Sequence, residues 1–316
     1  MSPNSWICLH PSNATQTTVS LDNRGLAYGD GFFTTMGVID GQILWLDYHQ
    51  QRLVSHAVAL QLQLDSFSLL TALKTHAKQL QQGMLKLIIT RAEQEVRGYG
   101  YTPNTGGSAC EIWFKSSPMA ITTARSLPLA DGQFIPLQPA ASAICLSSQI
   151  ACLPPTLAGL KSLNRLDNVL ASGELQAIKA KTLAGTIKPS IAEGLLRDMS
   201  GQWVEGTMSN VFYQLVEAPV AKSSNRPHSQ NNSNSNYLTQ GQWYTPSMAQ
   251  SGVAGVMRQV IIDTLSTSNN PVIIRSLQDE DLPHLSQLFF CNALRGIMPM
   301  SSLRLLSGEV VSFEAI

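Results

Sequence analysis

The amino-acid sequence predicts an α+β protein built from two domains. Its 316 residues exceed what one hydrophobic core usually organises, since single cores stop growing at roughly 250–300 residues. Apolar runs of strand length alternate irregularly with helical periodicity, which favours an α+β fold over a doubly wound parallel sheet. Ser-Ser-Pro at residues 116–118 is typical of a linker. We therefore expect a small domain over residues 1–118 and a larger one over residues 119–316.

The first domain is predicted to contain both helices and strands. Leu53, Ala57 and Leu60 recur at helical spacing after Asp47, a residue type that caps helices. Two later apolar runs have the length and composition of strands. The expected elements are a strand at 43–46, helices from 47 and over 66–81, strands at 85–90 and 109–114, and a glycine-rich loop at 95–101.

The second domain is predicted to be richer in strands. A polar segment at residues 222–241 has almost no apolar side chain to bury, so it is interpreted as an enlarged hairpin loop, with a partner-binding lid as the alternative. The expected elements are helices at 164–181 and 255–265 and strands at 143–148, 192–197, 211–216, 243–245, 272–275 and 288–291.

Charge and composition exclude several classes of protein. Lys+Arg and Asp+Glu number 21 each, so the net charge is zero and a strongly basic nucleic-acid binder is excluded. There is no apolar run of membrane-spanning length and no basic-then-apolar leader, and we expect a cytoplasmic protein with no membrane partner. The five cysteines form no CxxC pair, and His49 and His56 have no third ligand in sight, so no metal is expected.

Lys161 is a candidate nucleophile. It stands in an apolar and small-residue stretch, Leu-Ala-Gly-Leu-Lys-Ser-Leu, just before a predicted helix. Burial disfavours the charged form of an amine, which makes it suitable for Schiff-base chemistry. The alternative is an ordinary lysine extending into solvent from a helix start.

Glu205 is a candidate partner for a cofactor ring. It ends a predicted strand and precedes a tight turn of small hydroxyl and amide residues. A carboxylate next to a pyridine nitrogen keeps that nitrogen protonated, and the ring then withdraws electrons strongly. The alternative is a surface glutamate in a hairpin.

Three features could bind phosphate. Residues 254–258, Ala-Gly-Val-Met-Arg, open a helix, and the N–H groups of a helix start attract anions. Arg52 could add a two-donor contact, and Asn292 could add an amide. Each is weak alone, because helix starts are common and most arginines are solvated.

Taken in order, these pieces resemble one family, the fold-type IV pyridoxal-phosphate enzymes. The resemblance runs from about residue 20 to residue 300. This group holds branched-chain and D-amino-acid aminotransferases and 4-amino-4-deoxychorismate lyases. The motifs that carry it are Gly-Asp-Gly-Phe-Phe-Thr-Thr within Asn23–Thr35, then Arg52, Lys161 in Gly-Leu-Lys-Ser-Leu-Asn-Arg-Leu, Glu205 ahead of Ser-Asn-Val-Phe, and the turn at 254–258.

The resemblance implies a homodimer with pyridoxal 5'-phosphate between the two domains and an active site shared between subunits. Lys161 would hold the cofactor covalently and move protons, and Glu205 would bind its pyridine nitrogen. The other cofactor contacts implied are Arg52, the backbone of Val256 and Met257, Asn292, Ser209, and Val253 packed on the ring.

Within the group, the sequence leans towards the lyase. Arg97-Gly98-Tyr99 resembles the lyase loop that reaches the partner's site, so Arg97, Tyr99 and Phe33 are implied substrate contacts. Thr34 stands where aminotransferases tend to have a glutamate and would orient the leaving group or a water. The alternative for Arg97 is a structural role, bracing a glycine-rich hairpin. The alternatives for the whole chain are an aminotransferase for branched-chain or D-amino acids and a non-enzymatic binding protein with the same fold.

Overall fold

A computed structural model describes most of the chain. The residues it describes are 6–10, 18–103, 107–121, 125–129, 133–183, 191–216, 238 and 240–313. The polar segment at 222–241 lies almost wholly outside them, so its interpretation as a hairpin loop stays a prediction. Within these residues no helix is long and apolar enough to cross a membrane.

An antiparallel sheet with two covering helices forms the first part of the molecule. Its strands lie in the order β1-β5-β4-β2-β3. One sheet face packs on the helices through a core that includes Phe32, Leu53 and Leu73. The elements are β1 (Trp6–His10), α1 (Arg24–Tyr28), β2 (Gly31–Ile39), β3 (Gln42–Ile43), α2 (Leu46–Ala59), α3 (Ser66–Leu80), β4 (Gly83–Arg91) and β5 (Cys110–Pro118).

A larger mixed sheet forms the rest. Its described strands run β13-β12-β11-β10-β9-β8-β15-β7-β6, with β14 paired to β11 and β15, and β16 paired to β15. The strands are β6 (Arg125–Pro128), β7 (Phe134–Leu137), β8 (Ala141–Ile150), β9 (Ile191–Asp198), β10 (Trp203–Gly206), β11 (Asn210–Leu215), β12 (Tyr244–Thr245), β13 (Ile273–Ile274), β14 (Leu285–Asn292), β15 (Gly296–Arg304) and β16 (Val310–Ser312). The helices are α4 (Leu166–Leu183), α5 (Val256–Leu265) and a 3-10 turn at Asp279–His284.

Two connections place functional residues at the junction of the sheets. β8 and β9 are parallel neighbours, so the chain between them must cross over, and it does so through α4 with Lys161 just before the helix. α5 packs through Val260 and Ile261 on the core under β11 and β14. Its first residues consequently face the junction.

The structure corrects two local expectations. Ser-Ser-Pro at 116–118 is the paired end of β5, with Pro118 opposite Gly83, and not a free linker. The expected strand at 43–46 ends at Ile43, because Trp45 takes a left-handed φ of 57° and α2 begins at Leu46. The two sheets nevertheless separate after residue 118, although the domain division itself stays a prediction.

Candidate active site

A cavity of about 510 Å³ lies between the two sheets. Its lining combines β2 and β4 of the first sheet with the turn after β10, the start of α5 and the end of β14. The lining residues are Phe33, Thr35, Arg52, Lys86, Lys161, Arg165, Asn168, Val169, Ser172, Glu205, Gly206, Thr207, Met208, Ser209, Asn210, Val253, Gly255, Val256, Cys291, Asn292, Ala293 and Leu294. A second cavity, of about 450 Å³, is lined by Leu9, Asp65 and Cys110 among others and contains none of the predicted site residues.

Lys161 is held at its backbone and points its amine into the cavity. Its N–H donates to Nε2 of His56 at 2.9 Å, and its carbonyl accepts from the N–H of Phe33 at 3.1 Å. The amine nitrogen lies 4.4 Å from the centre of the Phe33 ring. Burial lowers the pKa of this amine to about 8; the charge of Arg52 adds to the shift and that of Glu205 opposes it. An appreciable fraction of the amine is therefore neutral and nucleophilic near neutral pH.

Glu205 is a buried carboxylate at the end of β10. One oxygen accepts from the N–H of Val253 at 2.8 Å, and the other accepts from the side-chain amide of Asn168 at 3.4 Å. Desolvation raises the pKa of the Glu205 carboxyl, with the charge of Arg165 and the Val253 N–H acting in the opposite direction. A carboxylate in this state readily shares a proton with a basic ring nitrogen.

Arg52 and the start of α5 form a cationic end of the cavity. Arg52 donates to the carbonyl oxygen of Ala254 at 2.7 Å. Burial lowers its pKa to about 10, so it stays charged at neutral pH. The N–H groups of Val256 and Met257 belong to the first turn of α5, where N–H groups have no partner within the helix and attract anions.

A buried carboxylate that the sequence did not single out holds the turn after Glu205. Glu193 accepts from the N–H of Thr207 at 3.0 Å and from the hydroxyl of Ser209 at 2.6 Å. The hydroxyl of Ser209 is thereby engaged, although Ser209 does line the cavity. The expected contact of Ser209 with the cofactor stays a prediction. To donate a hydrogen bond to the cofactor, the Ser209 hydroxyl would have to give up its hydrogen bond to Glu193.

Asn292 lines the cavity but is engaged with the backbone. Its Oδ1 accepts from the N–H groups of Leu294 and Arg295, at 3.1 and 2.8 Å. Its amide nitrogen makes a long contact, 3.4 Å, to the carbonyl oxygen of Met208. That nitrogen is the group left for the predicted phosphate contact.

Thr34 is not in the cavity, in contrast to the role expected for it. Its side chain is fully buried, and its hydroxyl lies 3.0 Å from Nδ1 of His49. Side chains alternate along a strand, so Phe33 and Thr35 face the cavity while Phe32 and Thr34 face the core beneath the helices. Orientation of a leaving group by Thr34 does not fit this placement.

Arg97 and Tyr99 lie on the outside of their own chain. Both are exposed, and neither lines the cavity. Their loop is nevertheless fixed, because Arg24 donates to the carbonyl oxygens of Gly98 and Tyr99, both at 3.1 Å. The substrate contacts implied for them therefore require a second subunit.

Three cavity or supporting residues were missed or given little weight by the sequence analysis. His56 supports the Lys161 backbone, Arg165 donates to the carbonyl oxygens of Leu160 and Gly252, and Lys86 lines the cavity. The sequence shows only that His56 lies four residues after Arg52, on the same helical face. No pattern in the chain distinguishes the other two from solvated surface charges.

The residues present fit pyridoxal phosphate. A Cβ on Gly252 would approach Oε2 of Glu205 to 3.0 Å, and one on Gly255 would overlap Oδ1 of Asn210, so both glycines keep the backbone close around the cavity. Lys161, Glu205 and Arg52 supply an amine, a buried carboxylate and a charged donor to the cavity lining. These are the groups that an aldehyde, a pyridine nitrogen and a phosphate would each need. Three clustered metal-ligating side chains are not found in the part of the chain that is described.

Comparison with known proteins identifies the family. Residues 31–303 match the family model described as amino-transferase class IV, and the chain belongs to that family. The family depends on pyridoxal phosphate, and the fold is that of the fold-type IV enzymes.

Individual relatives include both lyases and an aminotransferase. An aminodeoxychorismate lyase of Vibrio harveyi is 24% identical over 290 residues, 91% of this chain and 88% of that protein. A putative branched-chain-amino-acid aminotransferase of Methanocaldococcus jannaschii is 26% identical over 302 residues, 94% and 86% of the two chains. The crystal structure of 4-amino-4-deoxychorismate lyase from Pseudomonas aeruginosa has a TM-score of 0.68 and 29% identity, covering 94% of this chain and 90% of that one.

Proposed function

We propose that this protein is a pyridoxal-phosphate-dependent lyase that converts 4-amino-4-deoxychorismate into 4-aminobenzoate, a folate precursor, and pyruvate. The observation that carries the proposal is the convergence of Lys161, Glu205 and Arg52 on one cavity. Likeness to the lyases of Vibrio harveyi and Pseudomonas aeruginosa over about nine-tenths of the chain supports this choice of reaction.

The cofactor, when bound, supplies an electron-withdrawing ring that stabilises negative charge on the substrate carbon bearing the amine. The buried Glu205 would pair as a carboxylate with the pyridine nitrogen and so keep that nitrogen protonated. Arg52 and the N–H groups of Val256 and Met257 would bind the phosphate. Val253, whose backbone N–H donates a hydrogen bond to Glu205, would pack against the cofactor ring.

Lys161 would move the protons of the reaction. Its amine, with a pKa of about 8, can take the ring proton from the amine-bearing carbon. The electron pair of that C–H bond completes the aromatic ring as the neighbouring C–O bond breaks, and the enolpyruvyl group departs. A proton delivered to its methylene carbon, also by Lys161, gives pyruvate.

We further propose that the active enzyme is a homodimer. The exposed side chains of Leu166, Val169 and Leu170 form an apolar stripe at i, i+3 and i+4 on α4. Val169 also lines the cavity, so a partner that covers the stripe would approach the site. In this dimer, Arg97 and Tyr99 of one subunit would contact the substrate bound in the cavity of the other subunit. Phe33 would contact the substrate in the cavity of its own subunit.

The proposal is tested by giving the purified holoenzyme 4-amino-4-deoxychorismate and measuring both products. We expect 4-aminobenzoate and pyruvate in equal amounts, and at least a thousandfold loss in K161A, since removal of a covalent catalytic group has effects of this order. The matched control is K179A. Lys179 lies on α4, donates a hydrogen bond to the carbonyl oxygen of Ala192, and does not line the cavity.

The second candidate is an aminotransferase, favoured by the relative from Methanocaldococcus jannaschii. Leucine or D-alanine with 2-oxoglutarate distinguishes the two. Amino transfer without any 4-aminobenzoate would contradict the lyase.

A further inference from the structure

Four cationic side chains line the cavity, and three of them have partners or assigned tasks. Arg52 is placed for phosphate and Lys161 for the cofactor, while Arg165 donates to the carbonyl oxygens of Leu160 and Gly252. Lys86 is the fourth. The ion pairs found between described residues do not include it.

The position of Lys86 in the sheet brings two positive charges together. It lies in the middle of β4, opposite Thr35 on β2 and opposite Lys115 on β5. Side chains of directly opposed residues in an antiparallel pair lie on the same face, and like charges there are destabilising. Lys115 does not line the cavity, whereas Lys86 does. Neither lysine belongs to an ion pair found between described residues, so an anionic ligand would find positive charge here without a competing carboxylate.

Phe33 links this cation to the reacting amine. The Lys86 nitrogen lies 5.5 Å from the centre of the Phe33 ring, and the Lys161 nitrogen lies 4.4 Å from the same centre. A small ligand whose amine is at Lys161 can therefore reach Lys86 by extending along Phe33. A carboxylate at that end of the ligand would meet a positive charge.

We propose that Lys86 binds a carboxylate of the substrate and that Lys115, directly behind it, adds to the positive potential there. The assignment rests on the proposed function, since 4-amino-4-deoxychorismate carries one carboxylate on its ring and another on its enolpyruvyl group. It also places a substrate-binding cation within the same chain as Lys161, in addition to any contact that Arg97 makes from a partner.

The test measures binding to the holoenzyme by calorimetry, without turnover. The probes are 4-aminobenzoate, which retains the ring carboxylate, pyruvate, which retains the other, and aniline, which has none. Lys86 is proposed to bind one of the two carboxylates, so in K86M the Kd of either 4-aminobenzoate or pyruvate should rise roughly 10- to 100-fold. This is the effect of losing a hydrogen bond to a charged group. Aniline binding should change less than about twofold, and K86R should restore most of the affinity.

K115M is the matched control, because it removes the neighbouring charge from outside the lining. It should weaken binding of the same acid by no more than about threefold, as for a charge partly screened by solvent. Retained cofactor absorbance in K86M shows that the variant is folded and loaded. Unchanged affinity of K86M for both acids would overturn the proposal, as would equal losses in K86M and K115M. Failure of the parent protein to form 4-aminobenzoate would contradict the proposed reaction separately, since these binding measurements involve no turnover.

Discussion

His56 shows how a single side chain can position the reacting lysine. Its Nε2 accepts the backbone N–H of Lys161, so in the neutral ring the proton is on Nδ1, which lies 3.2 Å from the hydroxyl of Ser55. Burial lowers the pKa of His56 to about 3, with the charges of Arg52, Lys161 and Arg165 adding to the shift. The ring is therefore an uncharged acceptor throughout the physiological pH range.

We predict that H56A lowers the free energy of unfolding by about 1–3 kcal/mol near pH 7, because the buried N–H of Lys161 loses its acceptor. H56Q, which offers an amide oxygen, should lose less than half of that. Urea denaturation followed by tryptophan fluorescence measures both.

The same pair of variants tests the titration of His56. In the unfolded chain histidine takes a proton near pH 6.5, whereas folded His56 stays neutral down to about pH 3. The unfolded state binds more protons in this window, so His56 should cost about 2 kcal/mol of stability between pH 7 and pH 5. On acidification from pH 7 to pH 5, the free energy of unfolding of H56Q should therefore fall by about 2 kcal/mol less than that of the parent. An equal fall in both proteins would contradict the low pKa of His56.

At this scale, sequence reasoning found residues whose type implies chemistry. Neither the lysine among apolar residues nor the glutamate before a small-residue turn was decisive alone. The family resemblance placed Lys161 and Glu205 in one expected site, and both do line the cavity. Thr34 was chosen from the resemblance, because aminotransferases tend to have a glutamate at that position. The strand β2 turns Thr34 towards the core and Thr35 towards the cavity. Lys86 was not singled out. Two neighbouring strands were expected there, but the sequence does not set the register that places Lys86 opposite Lys115.

The start of α5 illustrates the next scale, that of an element. Gly255 caps this helix, and its missing Cβ leaves room for the side chain of Asn210. The amide nitrogen of Asn210 donates to the carbonyl oxygen of Val253 at 2.8 Å. The same contact therefore fixes both the helix start and the residue expected to pack on the cofactor ring.

We predict that G255A weakens binding of pyridoxal phosphate by at least about tenfold, because the added methyl group displaces Asn210 and breaks a buried hydrogen bond. Equilibrium dialysis or cofactor fluorescence measures the Kd. The control is Q259A further along α5, where the side chain is exposed and donates a hydrogen bond to Asp263. It should leave the Kd for pyridoxal phosphate unchanged. Equal affinities for G255A and the parent would show that this contact does not shape the cofactor site.

Elements with strong periodicity were predictable, and short or irregular ones were not. The helix expected over 66–81 is Ser66–Leu80, and that over 255–265 is Val256–Leu265. The strand β2 has no alternating pattern because buried residues occur on both of its faces, and it was not predicted. The turn at Trp45 depends on a left-handed backbone in a tryptophan that packs into the core of the second sheet, which propensity alone does not anticipate.

The charge distribution of the whole molecule is more informative than its total. The chain is neutral and only 13% charged. Its cavity nevertheless gathers Arg52, Lys86, Lys161 and Arg165 around the single carboxylate of Glu205. An anionic cofactor and a dicarboxylate substrate would neutralise this excess. Zero net charge thus fits a protein whose positive charge is concentrated in the site.

The proposed homodimer leads to a prediction for mixtures of two inactive variants. K161A removes the reacting amine and R97A removes the proposed substrate contact from the partner, so each variant alone should have little activity. In a mixed dimer, the subunit that retains Lys161 faces the Arg97 of the other subunit, and one complete site is formed.

Unfolding the two variants together and refolding them should therefore recover about a quarter of the parent activity, since half of randomly paired dimers are mixed and each holds one complete site. Light scattering must show the dimer in every sample, and each variant refolded alone is the control. R125A, mixed with K161A in the same way, controls for subunit exchange: Arg125 is an exposed residue on β6, outside the cavity lining, so this mixture should show the activity of the intact Lys161 subunits. If mixing K161A with R97A restores nothing while the dimers form, Arg97 does not act across the interface, and carboxylate binding must come from residues such as Lys86 within each chain.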